Sequence, residues 1–215
     1  MPGNLYRRAS DLPETIPVFP LSGAVLFPRW QLPLNIFEPR YLNMIDDMMA
    51  GPRLLGMIQP DGGSRAEPDL RSVGCIGRLT SFSETDDGRY LVTLTGVCRF
   101  RIDAELPVST PYRQVRIDTS AYETDLKQAI FAGLQSRTEL DKAFRAYAKA
   151  NNISADWDAV GDAPMETLIN ALATGCPFDP IERQALLEAP DLEARCETLI
   201  TLLNVNRDSD DGPMQ

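Results

Sequence analysis

The sequence predicts an α+β chain in two halves. The first is a small, partly open β-barrel with one early helix, and the second is a helical bundle. Three observations carry this. Apolar residues alternate with period 2 from Tyr90 to Ile102, the pattern of a strand with two unlike faces. Many short apolar runs, punctuated by proline and glycine, fill residues 15–120, as in small barrels. From Ala121 onward the apolar period becomes 3.6, which places helices there.

Residues 1–14 are polar and are expected to form a flexible arm. Ile16 to Leu21, Val25 to Pro28 and Leu32 to Ile36 are apolar runs cut by Pro17, Pro20, Pro28 and Pro33. Proline cannot donate to a ladder, so these runs belong at strand ends and sheet edges. Pro39 then opens a helix, where its missing N–H costs nothing. Tyr41, Leu42, Ile45, Met48 and Met49 form its apolar side, with Asp46 and Asp47 opposite. Residues 53–59 are a strand between Gly51-Pro52 and Pro60, and residues 60–68 read as a loop. Residues 73–79 resume a strand, and Asp86-Asp87-Gly88 marks a hairpin turn. In the strand that follows, Tyr90, Val92, Leu94, Gly96, Cys98, Phe100 and Ile102 share one face. Leu91, Thr93, Thr95, Val97, Arg99 and Arg101 share the other. Gly96 is expected to permit a bend or bulge. Val115 and Ile117 give one further strand.

In the second half a helix is expected over 124–150, with Leu126, Ile130, Leu134, Leu140, Phe144 and Tyr147 apolar and Asn151-Asn152 ending it. Another opens at Ala163-Pro164-Met165. Asp179-Pro180-Ile181-Glu182 is a helix start, with Asp179 as N-cap, Pro180 in the first turn and Glu182 completing a capping box. After Pro190-Asp191, Leu192, Cys196, Leu199 and Leu203 make one helical stripe. The expected layout is an arm over 1–14, a barrel over 15–120, a bundle over 121–207 and a disordered acidic tail over 208–215.

Composition excludes several function classes. The formal net charge is −10 and the pI about 4.5, so the surface repels phosphate backbones and nucleic acid is not an expected partner. Arg78, Arg99 and Arg101 form one local basic stripe against that trend. The chain has four cysteines, Cys75, Cys98, Cys176 and Cys196, in no close pair, and no histidine. No metal site or cofactor is expected, and Cys98 and Cys196 read as small core residues. No glycine-rich phosphate loop ending in lysine is present. No apolar run is long enough to span a bilayer, and Met1-Pro2-Gly3-Asn4 does not begin a signal peptide. A cytoplasmic location is therefore expected. The sequence sets no oligomeric state.

The string from Ile16-Pro17-Val18-Phe19-Pro20 through Ile36-Phe37-Glu38-Pro39-Arg40-Tyr41 resembles the opening of the Lon protease N-terminal, substrate-binding domain. It also resembles the small stand-alone proteins built on that domain. Leu55-Gly56-Met57-Ile58, Val73 to Leu79 and Gly88 to Ile102 are similar to the family's strand motifs, and Leu168 to Leu172, Glu182 to Glu188 and Leu192 to Arg195 to its helices. The resemblance implies a PUA-like barrel followed by a helical bundle. It implies a non-catalytic module that recognises protein or exposed apolar peptide segments, without ATPase or peptidase modules.

One departure concerns the corner after Leu26-Phe27-Pro28. Stand-alone relatives tend to carry glycines there, whereas this chain has Arg29-Trp30. An aromatic beside an arginine on a loop is either a contact hot spot or a tryptophan folded back over the barrel end. Glu38 and Arg40 either line a groove or serve the helix start and pair locally. Met44, Met48, Met49 and Met57 either form an adaptable binding surface or pack the core. The candidate partner-binding residues are Phe27, Arg29, Trp30, Arg40, Tyr41 and Met48. The alternative from another class is a small-molecule-binding or hydrolytic protein using a cleft between barrel and bundle; converging buried carboxylates would favour it.

Overall fold

The computed structural model describes residues 6–64, 67–127, 131 and 134–208. The chain divides near residue 128 into two compact units, taken here one at a time.

The first unit contains β1 (Thr15–Pro20), β2 (Gln31–Ile36), α1 (Pro39–Ala50), β3 (Leu54–Ile58), β4 (Pro60–Gly63), β5 (Pro68–Leu70), β6 (Val73–Glu84), β7 (Tyr90–Glu105) and β8 (Gln114–Asp118). Six strands form a mixed sheet in the order β2-β7-β6-β3-β1-β8. The β1–β3 pair is parallel and the other pairs are antiparallel. β7 is 16 residues long. Its first part lies between β2 and β6, and its last part pairs with β8, Arg101 opposite Asp118 and Ile102 opposite Ile117. The pairings β7-β6-β3-β1-β8 thus return to β7 in a circuit. A bulge between Ile76 and Gly77, opposite Cys98 and Gly96, bends the long hairpin.

Val18, Leu26, Phe27, Ile45, Leu55, Ile76, Leu94 and Phe100 are wholly buried and form the core. A Cβ added at Gly56 or Gly74 would strike the Phe100 ring at 2.8 or 2.6 Å, so this ring occupies space that two glycines leave. The hairpin turn falls at Asp86-Asp87-Gly88, with Gly88 at φ 77°.

Three local features differ from the sequence reading. Residues 60–68 are not a plain loop, because β4 and β5 pair as a small hairpin. Residues 9–14 are not loose: Ala9–Asp11 form a 3₁₀ turn, Leu12 is buried, and Ile117 N–H donates to Glu14 C=O. Arg99 does not line a basic stripe. Its face of β7 is covered by a 3₁₀ segment, Ser120–Leu126, and its side chain is 2% exposed.

The second unit holds α2 (Leu134–Ala150), α3 (Trp157–Asp162), α4 (Met165–Gly175), α5 (Pro180–Glu188) and α6 (Leu192–Asp208). Among the described residues, the helix expected from residue 124 begins at Leu134. Tyr122, Asp125 and Leu126 are instead buried in the 3₁₀ segment, while Ile130 lies outside the described residues. Asn152, at φ 55°, follows the end of α2. The short α3 has no apolar stripe to announce it; Asp156 starts it by accepting from the N–H groups of Asp158 and Ala159. The capping box of α5 is reciprocal, with both bonds between Asp179 and Glu182 at 2.8 Å. Cys196, Leu199 and Leu203 of α6 are wholly buried, as their stripe requires. Residues 209–215 of the expected tail, and 1–5 of the arm, lie outside the described residues.

Candidate functional site

The corner between β1 and β2 is a tight turn closed by Trp30 N–H donating to Phe27 C=O at 3.1 Å. Its third residue, Arg29, has φ 63°. A side chain there costs roughly 1–2 kcal/mol, which is why turns of this kind favour glycine. The turn sits directly on β7: Arg29 N–H donates to Gly96 C=O, and Gly96 N–H to Trp30 C=O, both at 2.8 Å. A Cβ at position 96 would lie 1.9 Å from the Phe27 carbonyl oxygen. Gly96 therefore serves chiefly as a point of close backbone approach.

What offsets the strain at Arg29 is its guanidinium, which donates to the backbone carbonyls of Asp125 and Lys127. The same segment is gripped from the other side. Asp125 accepts from Arg99 N–H at 3.0 Å, Nε at 2.8 Å and Nη2 at 2.9 Å. The Arg99 guanidinium lies 4.6 Å from the centre of the Tyr122 ring, within cation–π range. The Cys98 thiol donates to Tyr122 C=O, and burial, with Asp125 nearby, pushes that thiol up to about 12. Arg29, Gly96, Arg99 and Asp125 form one fastening for the end of the first unit.

The six sequence candidates separate accordingly. Phe27 is wholly buried, because its turn is pinned to Gly96. Tyr41 and Met48 are 5% and 4% exposed, on the inner side of α1. The Tyr41 ring packs against Phe19, tilted at 51° with 4.3 Å between ring centres. Arg40 pairs with Glu38 at 2.9 Å and lies over the Tyr41 ring, and Arg29 is engaged as above. Trp30 is half-buried. The structure brings Phe27, Arg29 and Trp30 together at one corner and Arg40 and Tyr41 at the first turn of α1.

Sequence reasoning missed Phe37, which is 63% exposed. The signal was available, since Ile36 points inward and strand alternation turns the next residue out. Leu91 and Phe82 are also exposed, at 46% and 38%. All three lie at the same end of the sheet, on two faces: Asn35 pairs with Leu91 and Ile36 with Tyr90, so Phe37 and Leu91 share one face, while Phe82, opposite Val92, lies on the other and sits edge-on to Tyr90 at 4.9 Å. Beside them the outer edge of β2 pairs with nothing among the described residues. Pro33 lies in that edge strand, as its missing N–H demands.

Asp125 is the single buried carboxylate among the described residues, and Arg99 occupies it. No group of three or more cysteine, aspartate and glutamate side chains among them is placed to hold a metal ion. No helix among them is long and apolar enough to cross a membrane.

The family model for the substrate-binding domain of the ATP-dependent protease La (Lon) matches residues 15–205. The chain belongs to this family. It is 28% identical over 199 residues to a Lon protease of Desulfosudis oleivorans, covering 90% of this chain and 24% of that protein. It is 25% identical over 207 residues to Lon protease 2 of Myxococcus xanthus, covering 92% and 24%. The chain thus spans about a quarter of the length of these relatives. Its fold is shared with a Lon N-terminal domain protein from Xanthomonas campestris, at TM-score 0.64 and 20% identity, covering 87% of this chain and 97% of that one. It is shared also with the N-terminal domain of a Mycobacterium avium complex Lon protease, at TM-score 0.63 and 17% identity, covering 88% and 97%.

Proposed function

We propose that this domain binds exposed apolar stretches of other polypeptide chains, in the cytoplasm and without catalysing a reaction on them. The circuit of strand pairings supports reading the first unit as a PUA-like barrel that presents such a surface. The observation that carries the reading is the placement of Phe37 and Leu91 on one face at one end of the sheet, beside the open edge of β2. Large apolar side chains gain nothing from water, and clustered ones mark contact surfaces. An open strand edge adds main-chain donors and acceptors that accept an extended segment irrespective of its sequence. Trp30, half-buried at the corner, extends the surface past the other end of β2.

The test is anisotropy of a labelled, chemically unfolded polypeptide, such as reduced and carboxymethylated lactalbumin. Phe37→Asp combined with Leu91→Asp is expected to weaken binding at least tenfold while leaving the melting temperature unchanged, since both side chains already face water. Trp30→Ala is expected to weaken binding by about 2 kcal/mol if it acts as a hot spot. Binding that survives the double replacement would overturn this site.

A further inference from the structure

Charge is unevenly spread over the first unit. Its residues 1–128 hold 16 acidic and 14 basic side chains, an excess of only two negative charges. The end of the sheet that carries Phe37 and Leu91 holds five carboxylates, Glu38, Asp46, Glu84, Asp86 and Asp87, against two arginines, Arg40 and Arg89. That end alone has three negative charges in excess, so the remainder of the unit is close to neutral.

The fold places each carboxylate around the apolar pair. Glu38 follows Phe37 directly. Asp86 and Asp87 lie in the turn that joins β6 to β7. Tyr90, the neighbour of Leu91, is opposite Ile36 on one side and Glu84 on the other. Its hydroxyl donates to Asp46 of α1 at 3.0 Å. The bond to Asp46, burial, and the negative charges of Asp46 and Glu84, in that order, raise the Tyr90 phenol above its ordinary 10.0.

The two arginines are already engaged. Arg40 pairs with Glu38 at 2.9 Å, and Arg89 Nε donates to Asp87 at 2.8 Å. Asp46, Glu84 and Asp86 are exposed and pair with no cation among the described residues. The face that Phe37 and Leu91 share is itself uncharged beside them, with Asn35 and Ser83 flanking Leu91. A chain that lays an apolar side chain there meets three unmatched carboxylates at the rim. They attract a cation and repel an anion on either side of that side chain.

We propose that the occupant of this surface is an extended apolar segment flanked by lysine or arginine, its apolar side chains on Phe37 and Leu91 and its cations against Asp46, Glu84 and Asp86. This rests on the polypeptide-binding reading above and adds the substrate's charge to it. Rim charges act chiefly on encounter and on the choice of partner, and they fade with salt.

The test is anisotropy of the full chain with three labelled peptides that share the core Val-Phe-Val-Leu and carry two lysines, two glutamines or two glutamates at each end. At about 10 mM ionic strength, where charges act over about 30 Å, the lysine peptide is expected to bind about tenfold or more tightly than the glutamate peptide, with the glutamine peptide between. At about 1 M, where they act over about 3 Å, that ratio should fall to about twofold. Glu84→Gln with Asp86→Asn should remove most of the preference. Glu67→Gln with Asp69→Asn make the same change in net charge beside the opposite end of β6 and should keep it. Phe37→Ser with Leu91→Ser should weaken all three peptides. Equal binding of the three peptides, or equal loss of preference in the two charge variants, would overturn the proposal; if the serine variant still weakens binding, the polypeptide-binding reading stands without it. Binding of no peptide, or binding that survives the serine replacements, would overturn both. Self-association of the chain that those replacements abolish would assign the surface to a second copy and overturn the proposal.

Discussion

Asp125→Ala tests how the end of the first unit is held. The replacement leaves the Arg99 guanidinium, 2% exposed, without the carboxylate that now accepts three of its N–H bonds, one from the backbone. Breaking a buried pair from one side costs about 3–5 kcal/mol, because an uncompensated charge stays behind. Against a total stability of about 5–15 kcal/mol for a typical domain, that is a large share. Replacing both partners, Arg99→Met with Asp125→Leu, removes the charge with its partner and is expected to recover most of the loss. The pair should also be insensitive to salt, since buried charges are poorly screened. The assay is urea unfolding followed by Trp30 emission in a Trp157→Phe background, so that the signal reports the first unit. A loss below about 1 kcal/mol for Asp125→Ala, the range of an exposed ion pair, would refute the burial of the 120–126 segment. So would a strong dependence on salt.

Gly96→Ala should destabilise the first unit by about 3 kcal/mol, the upper range for overpacking, because its Cβ would overlap the Phe27 carbonyl; unchanged thermal melting would sink the proposed contact. None of the four cysteines should react with a thiol reagent at pH 8 in the folded chain, since all are buried and burial pushes Cys98 up to about 12 and Cys176 and Cys196 up to about 11. All four should react in urea, and one fast-reacting native thiol would contradict this packing. Burial, and then the bond to Asp47, pushes the Tyr112 phenol from 10.0 up to about 12. A folded value raised above the unfolded one gives stability that is fully present below pH 10 and lost as pH rises towards 12. Tyr112→Phe should flatten the alkaline fall in stability, and an equally steep fall in that variant would show that other groups cause it.

The reading of Tyr90 to Ile102 as one long strand, of Pro39 as a helix start and of Asp179 with Glu182 as a capping box needed no tertiary information. Each is a local property. Alternation follows from the pleat, helical stripes from 3.6 residues per turn, and caps from unpaired N–H groups within one turn. The kinship to Lon substrate-binding domains was legible for the same reason, since it lies in short strings such as Ile36 to Tyr41.

Which side of each element meets protein, and which meets water, was decided by the tertiary structure. Arg99 lies on the polar side of its strand, yet it is buried because Asp125, 26 residues away, folds over it. Asp125 in turn sits in a stretch whose apolar spacing suits a helix, but its bonds to β7 hold residues 120–126 in 3₁₀ turns. Phe27 belongs to a proline-rich corner that the sequence places at the surface, and the missing side chain of Gly96 lets that corner sink onto β7. Phe37, within the most recognisable string of the chain, is left exposed. Local spacing determines the faces an element has. Contacts between residues distant in the chain determine which of those faces is covered.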